Sequence, residues 1–235
     1  MRPALIAAPL IACTLAAQSP GQRFQEAWAR YTTLEAAVDE DQDLPPGLPA
    51  ALDDLGRAWA AWAEAQGATT LKLPALAGSA PAPSARTLGR RGEWTLLGLD
   101  VPVPCGSHRF LALFKEASGH WKLALLDLHE ARSDRDPLGA REHVQAQLLE
   151  GPKVAVASTP PWCTSCWSVL HARVESPGSA IEDPKVLARL EDSVYRCADQ
   201  GVIRMTPLPD GIRLRYAGMG PEGTPSPRDK AIRVP

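Results

Sequence analysis

Residues 109–127 read RFLALFK-EASGH-WKLALLD, and no other stretch restricts the fold as tightly. Two apolar runs around a short Gly-bearing segment are a β-hairpin signal. A half-exposed strand alternates apolar and polar residues, but these runs do not. Phe110, Ala112 and Phe114 fall on one side, Leu111 and Leu113 on the other. Strands that are apolar on both faces have to be covered on both faces. The hairpin therefore predicts central strands with a layer on either side, and the rest of the chain must supply those layers.

Upstream, the period changes. Phe24, Trp28, Tyr31, Leu34 and Val38 recur at spacings of three and four, as do Leu48, Leu52, Leu55, Trp59, Trp62 and Gln66. Each set marks one face of a helix, and Gly67 sits where a C-terminal cap belongs. DEDQDLPPG separates the two sets with helix breakers. Residues 18–71 thus predict a helical hairpin whose aromatic stripe is core. Residues 72–92, KLPALAGSAPAPSARTLGRRG, have no period and read as a Pro/Ala-rich linker or long surface loop. A domain boundary is expected there.

Residues 93–235 read as a β-rich domain. WTLLGLDVPV and KVAVAST are strands, and GVIRMT-PLPDG-IRLRYAG is a second hairpin turning at Asp210-Gly211. REHVQAQLLEG fits a helix or an irregular strand. The tail reads as mostly irregular, with an edge strand at Ala231–Val234. The chain holds 23 prolines, about twice the usual share of roughly 5%. Proline disfavours long helices and central strands. The expected class is α+β: an N-terminal helical hairpin, then a mainly antiparallel β-rich domain.

The first 17 residues, MRPALIAAPLIACTLAA, run from an arginine through an apolar stretch to small residues. That order is a secretory signal peptide. It is too short for a membrane span, which needs about 20 residues. Two processing routes fit: cleavage after Ala17, or a lipobox at Leu10-Ile11-Ala12-Cys13 with lipidation of Cys13. Either route implies a periplasmic, secreted or lipid-anchored protein. No later segment is apolar enough to span a membrane. Net charge is −2, with no basic stripe in the sequence that would argue for nucleic acid.

Export leaves Cys105, Cys163, Cys166 and Cys197. An even count in an oxidising compartment favours disulfides, and four cysteines allow three pairings. Trp162-Cys163-Thr164-Ser165-Cys166 follows a strand, and a helix starting at Trp167 would put Cys163 over its positive end. This stretch resembles the thioredoxin superfamily. The resemblance implies Cys163 as attacking thiol, Cys166 as resolving thiol and Pro207 as the cis-proline facing them. The surroundings fit it poorly. SVLHARVE alternates as well as it fits a helix, and only Leu208 and Pro209 separate Pro207 from Asp210-Gly211.

VPVPCG, the first hairpin, PWCTSCW and SPRDKAIRVP are similar to an uncharacterised group of exported bacterial proteins. That resemblance covers residues 93–235. It implies a β-rich fold, Cys105 paired with Cys163, and Cys166 left to pair with Cys197. A loop of about 60 residues closed this way is worth about 4 kcal/mol in loop-entropy terms.

Other motifs carry little. Gly218–Gly223 matches GxGxxG, but its prolines forbid the helix that would hold a pyrophosphate. Asp39, Glu40, Asp41 and Asp43 resemble the start of a calcium loop, yet Leu44 stands where glycine is needed. His108, His120, His129, His143 and His171 show no paired-ligand spacing and read as surface or turn residues. His108 and His120 flank the first hairpin and are candidates for proximity. No metal and no cofactor is expected. The residues favour an exported, non-enzymatic envelope or secreted binding protein. The alternative is a thioredoxin-like thiol-disulfide oxidoreductase.

Overall fold

The computed structural model describes residues 18–38, 44–68, 72–77, 81–103, 106–128, 138–160, 166–197 and 202–234, with 142–144 described by their backbone alone. Cys13, the Asp39–Asp43 cluster, Cys105, His129, Trp162 and Cys163 lie outside the described residues.

The described residues begin with two helices: α1 (Pro20–Glu35) and α2 (Leu48–Ala65). The first starts on a capping box. The Ser19 hydroxyl accepts from the Gln22 N–H at 3.2 Å, and the Gln22 side chain accepts from the Ser19 N–H at 2.9 Å. That arrangement satisfies two otherwise unpaired donors. Gly67 has φ 71° just past α2, the left-handed conformation that lets a helix end there. Phe24 stacks on Trp62, and Trp28 packs on Tyr31.

A four-stranded sheet follows in the order β1 (Ser84–Arg91), β2 (Trp94–Val103), β3 (Gly106–Ala117), β4 (His120–Asp127), all antiparallel. Its two faces have separate tasks. Leu97, Leu99, Phe110, Ala112 and Phe114 pack with the helices. Leu96, Leu111, Leu113 and Leu125 pack against the next layer. The two-sided hairpin is therefore covered as its sequence requires, with β3 interior. α2 comes so close that a Cβ on Gly56 would sit 2.8 Å from Phe110 and Leu128.

The second layer is β5 (Glu142–Leu148), β6 (Val154–Thr159), β7 (Trp167–Ala180) and β8 (Asp183–Tyr195), also antiparallel. Leu148, Val154 and Val156 meet the first sheet. The opposite face, with Ala155, Leu170, Ala172 and Val174, packs on a third leaf. That leaf is β9 (Arg204–Leu208), β10 (Gly211–Met219) and β11 (Pro225–Arg233). It joins the second layer through the pair Gly218–Val194 and folds over the ribbon. The Gln145 amide stitches it down, donating to the Ile203 carbonyl at 2.5 Å and accepting from the Met205 N–H at 3.1 Å. Tyr216 donates to Asp192 at 2.5 Å. Burial and that carboxylate push the Tyr216 hydroxyl pKa well above the ordinary phenol range.

Several expectations change. The stretch expected to be linker contains β1, and residues 72–77 lie along α1. There the Ala77 carbonyl accepts from the Trp28 indole at 3.0 Å and the Ala75 carbonyl from Gln25 at 2.8 Å. Leu73 and Leu76 pack on the helical core. The helices and first sheet thus share one core across the expected boundary. REHVQAQLLEG resolves to the bulged strand β5. The tail, expected to be mostly irregular, forms the whole of β11. Its Pro225 and Pro227 are tolerated because an edge strand can lack ladder donors. The strand β8 was not anticipated from the sequence. His108 is fully buried, edge-on to Phe110 with ring centroids 4.5 Å apart, and is no surface histidine. It pairs with Val101 at one end of β3, while His120 pairs with Ala117 at the other, so the two are far apart.

Candidate functional site

The β7–β8 hairpin carries the most distinctive surface. Along β7, Leu170, Ala172 and Val174 turn to the core, so His171, Arg173 and Glu175 project from the other face. Farther across that face, β5 and β6 are covered by the first sheet. The first sheet ends at β4, so the β7–β8 part of the face is left uncovered. A groove of about 1050 Å³ results, its lining including Asp127, His171, Arg173, Val186, Arg189 and Glu191.

Register sets the charge pattern. His171 pairs with Glu191, Arg173 with Arg189, and Glu175 with Val186. Arg173 is held from two sides: its Nη2 donates to Asp127, and its Nε donates to Glu175 at 2.8 Å. Both carboxylates are buried, and buried charge is tolerated when it is paired. Arg189, directly opposite, is exposed. Like charges facing one another across a ladder are unfavourable, and the two carboxylates on Arg173 relieve that repulsion.

His171 lies 3.7 Å from Glu191, a contact that would favour the imidazolium. Partial burial nevertheless pulls its pKa below the ordinary 6.5, helped by the Arg141 and Arg173 charges. The neutral ring can both donate and accept. Together the row offers a ligand a cation at Arg189, an anion at Glu191, a neutral imidazole and the apolar Val186. That set suits recognition of an extended polar molecule.

Both ends of the ribbon are fixed. At the turn, Arg57 of α2 donates twice to Glu182, at 2.7 and 3.0 Å, and the Ile181 carbonyl accepts from the Leu126 N–H of β4 at 2.8 Å. At the open end, Trp167 packs edge-on to Tyr195, and Cys166 is bonded to Cys197 with Cα atoms 5.0 Å apart. The Arg196 N–H donates to the Cys166 carbonyl at 2.6 Å, and the Ser168 hydroxyl to the Pro160 carbonyl at 3.2 Å.

The other sequence candidates are dispersed. Cys166 belongs to that disulfide, and the residues after it form a strand where the thioredoxin resemblance needs a helix. Pro207 lies in β9 opposite Ile212. Two tryptophans outside these candidates, Trp94 and Trp121, are half-buried, each under a cation: Lys115 at 5.4 Å and Arg90 at 5.9 Å. Among the described residues no cluster of His, Cys, Asp or Glu is arranged to hold a metal, and no helix is long and apolar enough to cross a membrane.

Sequence reasoning missed Asp127, Arg173, Glu175 and Arg189 as a set. A signal was present: His171, Arg173 and Glu175 alternate with apolar residues, as do Arg189 and Glu191 with Leu190 between them. No protein-family profile, curated protein or solved structure matches this chain.

Proposed function

We propose that the protein is an exported, non-enzymatic binding module whose ligand lies in the β7–β8 groove. One observation carries the reading: a ribbon closed covalently by Cys166–Cys197 presents a fixed row of charged and imidazole side chains to an open groove. The signal-peptide pattern of residues 1–17 supports export, and disulfides persist in oxidising compartments. A rigid, prearranged face lowers the entropy lost on binding. On this reading the cysteines are staples.

The test has two arms. The protein, expressed with its own N-terminus, is recovered by cell fractionation and mapped as peptides without reductant. The expected result is a Cys166–Cys197 peptide from the extracytoplasmic fraction, with no insulin reduction. A reducible Cys163–Cys166 bond, with insulin reduction lost in Cys163→Ser, would instead establish the oxidoreductase. In the second arm, peptide and oligosaccharide arrays are probed with wild type, Arg189→Glu and Val186→Asp. Array ligands retained equally by all three proteins would remove the groove from the account.

A further inference from the structure

The outer face of the third leaf has a composition unlike the rest of the molecule. Along β10, Ile212, Leu214 and Tyr216 are buried beneath it, so Arg213, Arg215 and Met219 point outward. Register brings Arg204 of β9 beside Arg215, and Asp229 of β11 on its other side. Arg233 of β11 is exposed at the far end and paired with the turn residue Asp210. Asp229 is the single acid in these three strands. It is shared, 3.5 Å from the Arg213 Nε and 3.1 Å from the Arg215 Nε. Arg204 has no carboxylate partner among the described residues. In these strands the face carries four arginines, Arg204, Arg213, Arg215 and Arg233, against the one carboxylate of Asp229, on a chain of net −2.

Beside the arginines are two exposed apolar side chains. Met219 is 44% exposed at the end of β10, and Val202 is 55% exposed. Val202 leads into β9, where Ile203 is buried and Arg204 exposed, so Val202 faces outward with Arg204.

We propose that this face docks the protein on an anionic lipid bilayer, its arginines on headgroup phosphates and Val202 and Met219 in the interface. Guanidinium groups suit phosphate oxygens. A basic face with apolar side chains at one end matches a surface that is anionic outside and apolar just beneath. A soluble polyanion would use the arginines and leave Val202 and Met219 without a role. This surface is separate from the β7–β8 groove, and the inference does not depend on the function proposed above.

The full chain is tested by co-sedimentation with vesicles of phosphatidylcholine alone and of phosphatidylcholine with about a third phosphatidylglycerol. The variants share the wild-type N-terminus, so its contribution cancels. Binding is expected to need the anionic lipid and to weaken with salt. Each basic residue near an anionic surface contributes about a fivefold gain. Arg204→Gln/Arg213→Gln/Arg215→Gln should therefore lose on the order of 100-fold. Asp229→Asn should bind more tightly than wild type. Val202→Ser/Met219→Ser should weaken binding while keeping its salt dependence. Circular dichroism confirms that each variant is folded. Equal binding to both vesicle types, or an unchanged triple-arginine variant, overturns the proposal. So does retention on heparin or nucleic acid without retention on vesicles.

Discussion

The first sheet, β1–β4, and the β7–β8 ribbon are both antiparallel, yet they are held in opposite ways. The first sheet is apolar on both faces at its central strands β2 and β3 and lies between the helices and β5–β6. Even its open edge is occupied: Glu64 accepts the Leu123 N–H at 2.9 Å, and the Ile181 carbonyl accepts that of Leu126 at 2.8 Å. The ribbon has one apolar face and one charged face. It is held by a disulfide at one end and tertiary contacts at the other. Burial on two faces dominates in the first region, and its central strands have no surface to spare for recognition. The second gives up burial on one face, and covalent closure makes up part of that loss.

The largest expected effect tests the buried half. Trp59 is fully buried where α2 meets the sheet. Trp59→Ala should cost about 3–5 kcal/mol in denaturant unfolding. A loss under about 1 kcal/mol would mean that the helices are not integral to this core. Next comes the charge cluster. Arg173→Met removes the partner of two buried carboxylates and should cost about 3 kcal/mol. If Asp127→Asn/Arg173→Met/Glu175→Gln recovers nothing, charge pairing is not what Arg173 supplies.

Cutting the staple separates the two regions more sharply. The bond spans a sequence separation of 31. Cys197→Ser should therefore cost roughly 2–4 kcal/mol. Amide exchange should speed up in β7 and β8 first and leave β2 and β3 protected. Equal acceleration everywhere would erase the distinction drawn above.

The smallest effect is a pH dependence. The pKa of His171 is lowered in the folded state, so its contribution is present above pH 6.5 and is lost as pH falls through the folded value. On acidification below pH 6.5, wild type should lose stability relative to His171→Asn in urea titrations at several pH values. A relative gain would show that Glu191 outweighs burial.

The parts read correctly from the sequence are those where one force dominates. The two helical stripes and the two-sided hairpin were legible because burial writes a clear period into Phe24, Trp28, Tyr31 and Phe110–Phe114. β1 was not, because SARTLGRR is polar and becomes a strand by pairing with β2 at the sheet edge. The strand β8 was hidden for a related reason: Arg189, Leu190 and Glu191 alternate, but the register shift at Leu187 breaks the period of two after a few residues. The bond between Cys166 and Cys197 has no counterpart in spacing, since distant partners are chosen by the register of β7 on β8. The groove escaped notice because its edge is set by where another sheet stops.

The bond at the open end of the ribbon has a consequence for proteolysis. The turn at Ile181 and Glu182 is exposed, and exposed turns are where proteases cut. One cut there would split the backbone but leave both pieces tethered through sulfur. The nicked protein should migrate as a single species until a reductant is added.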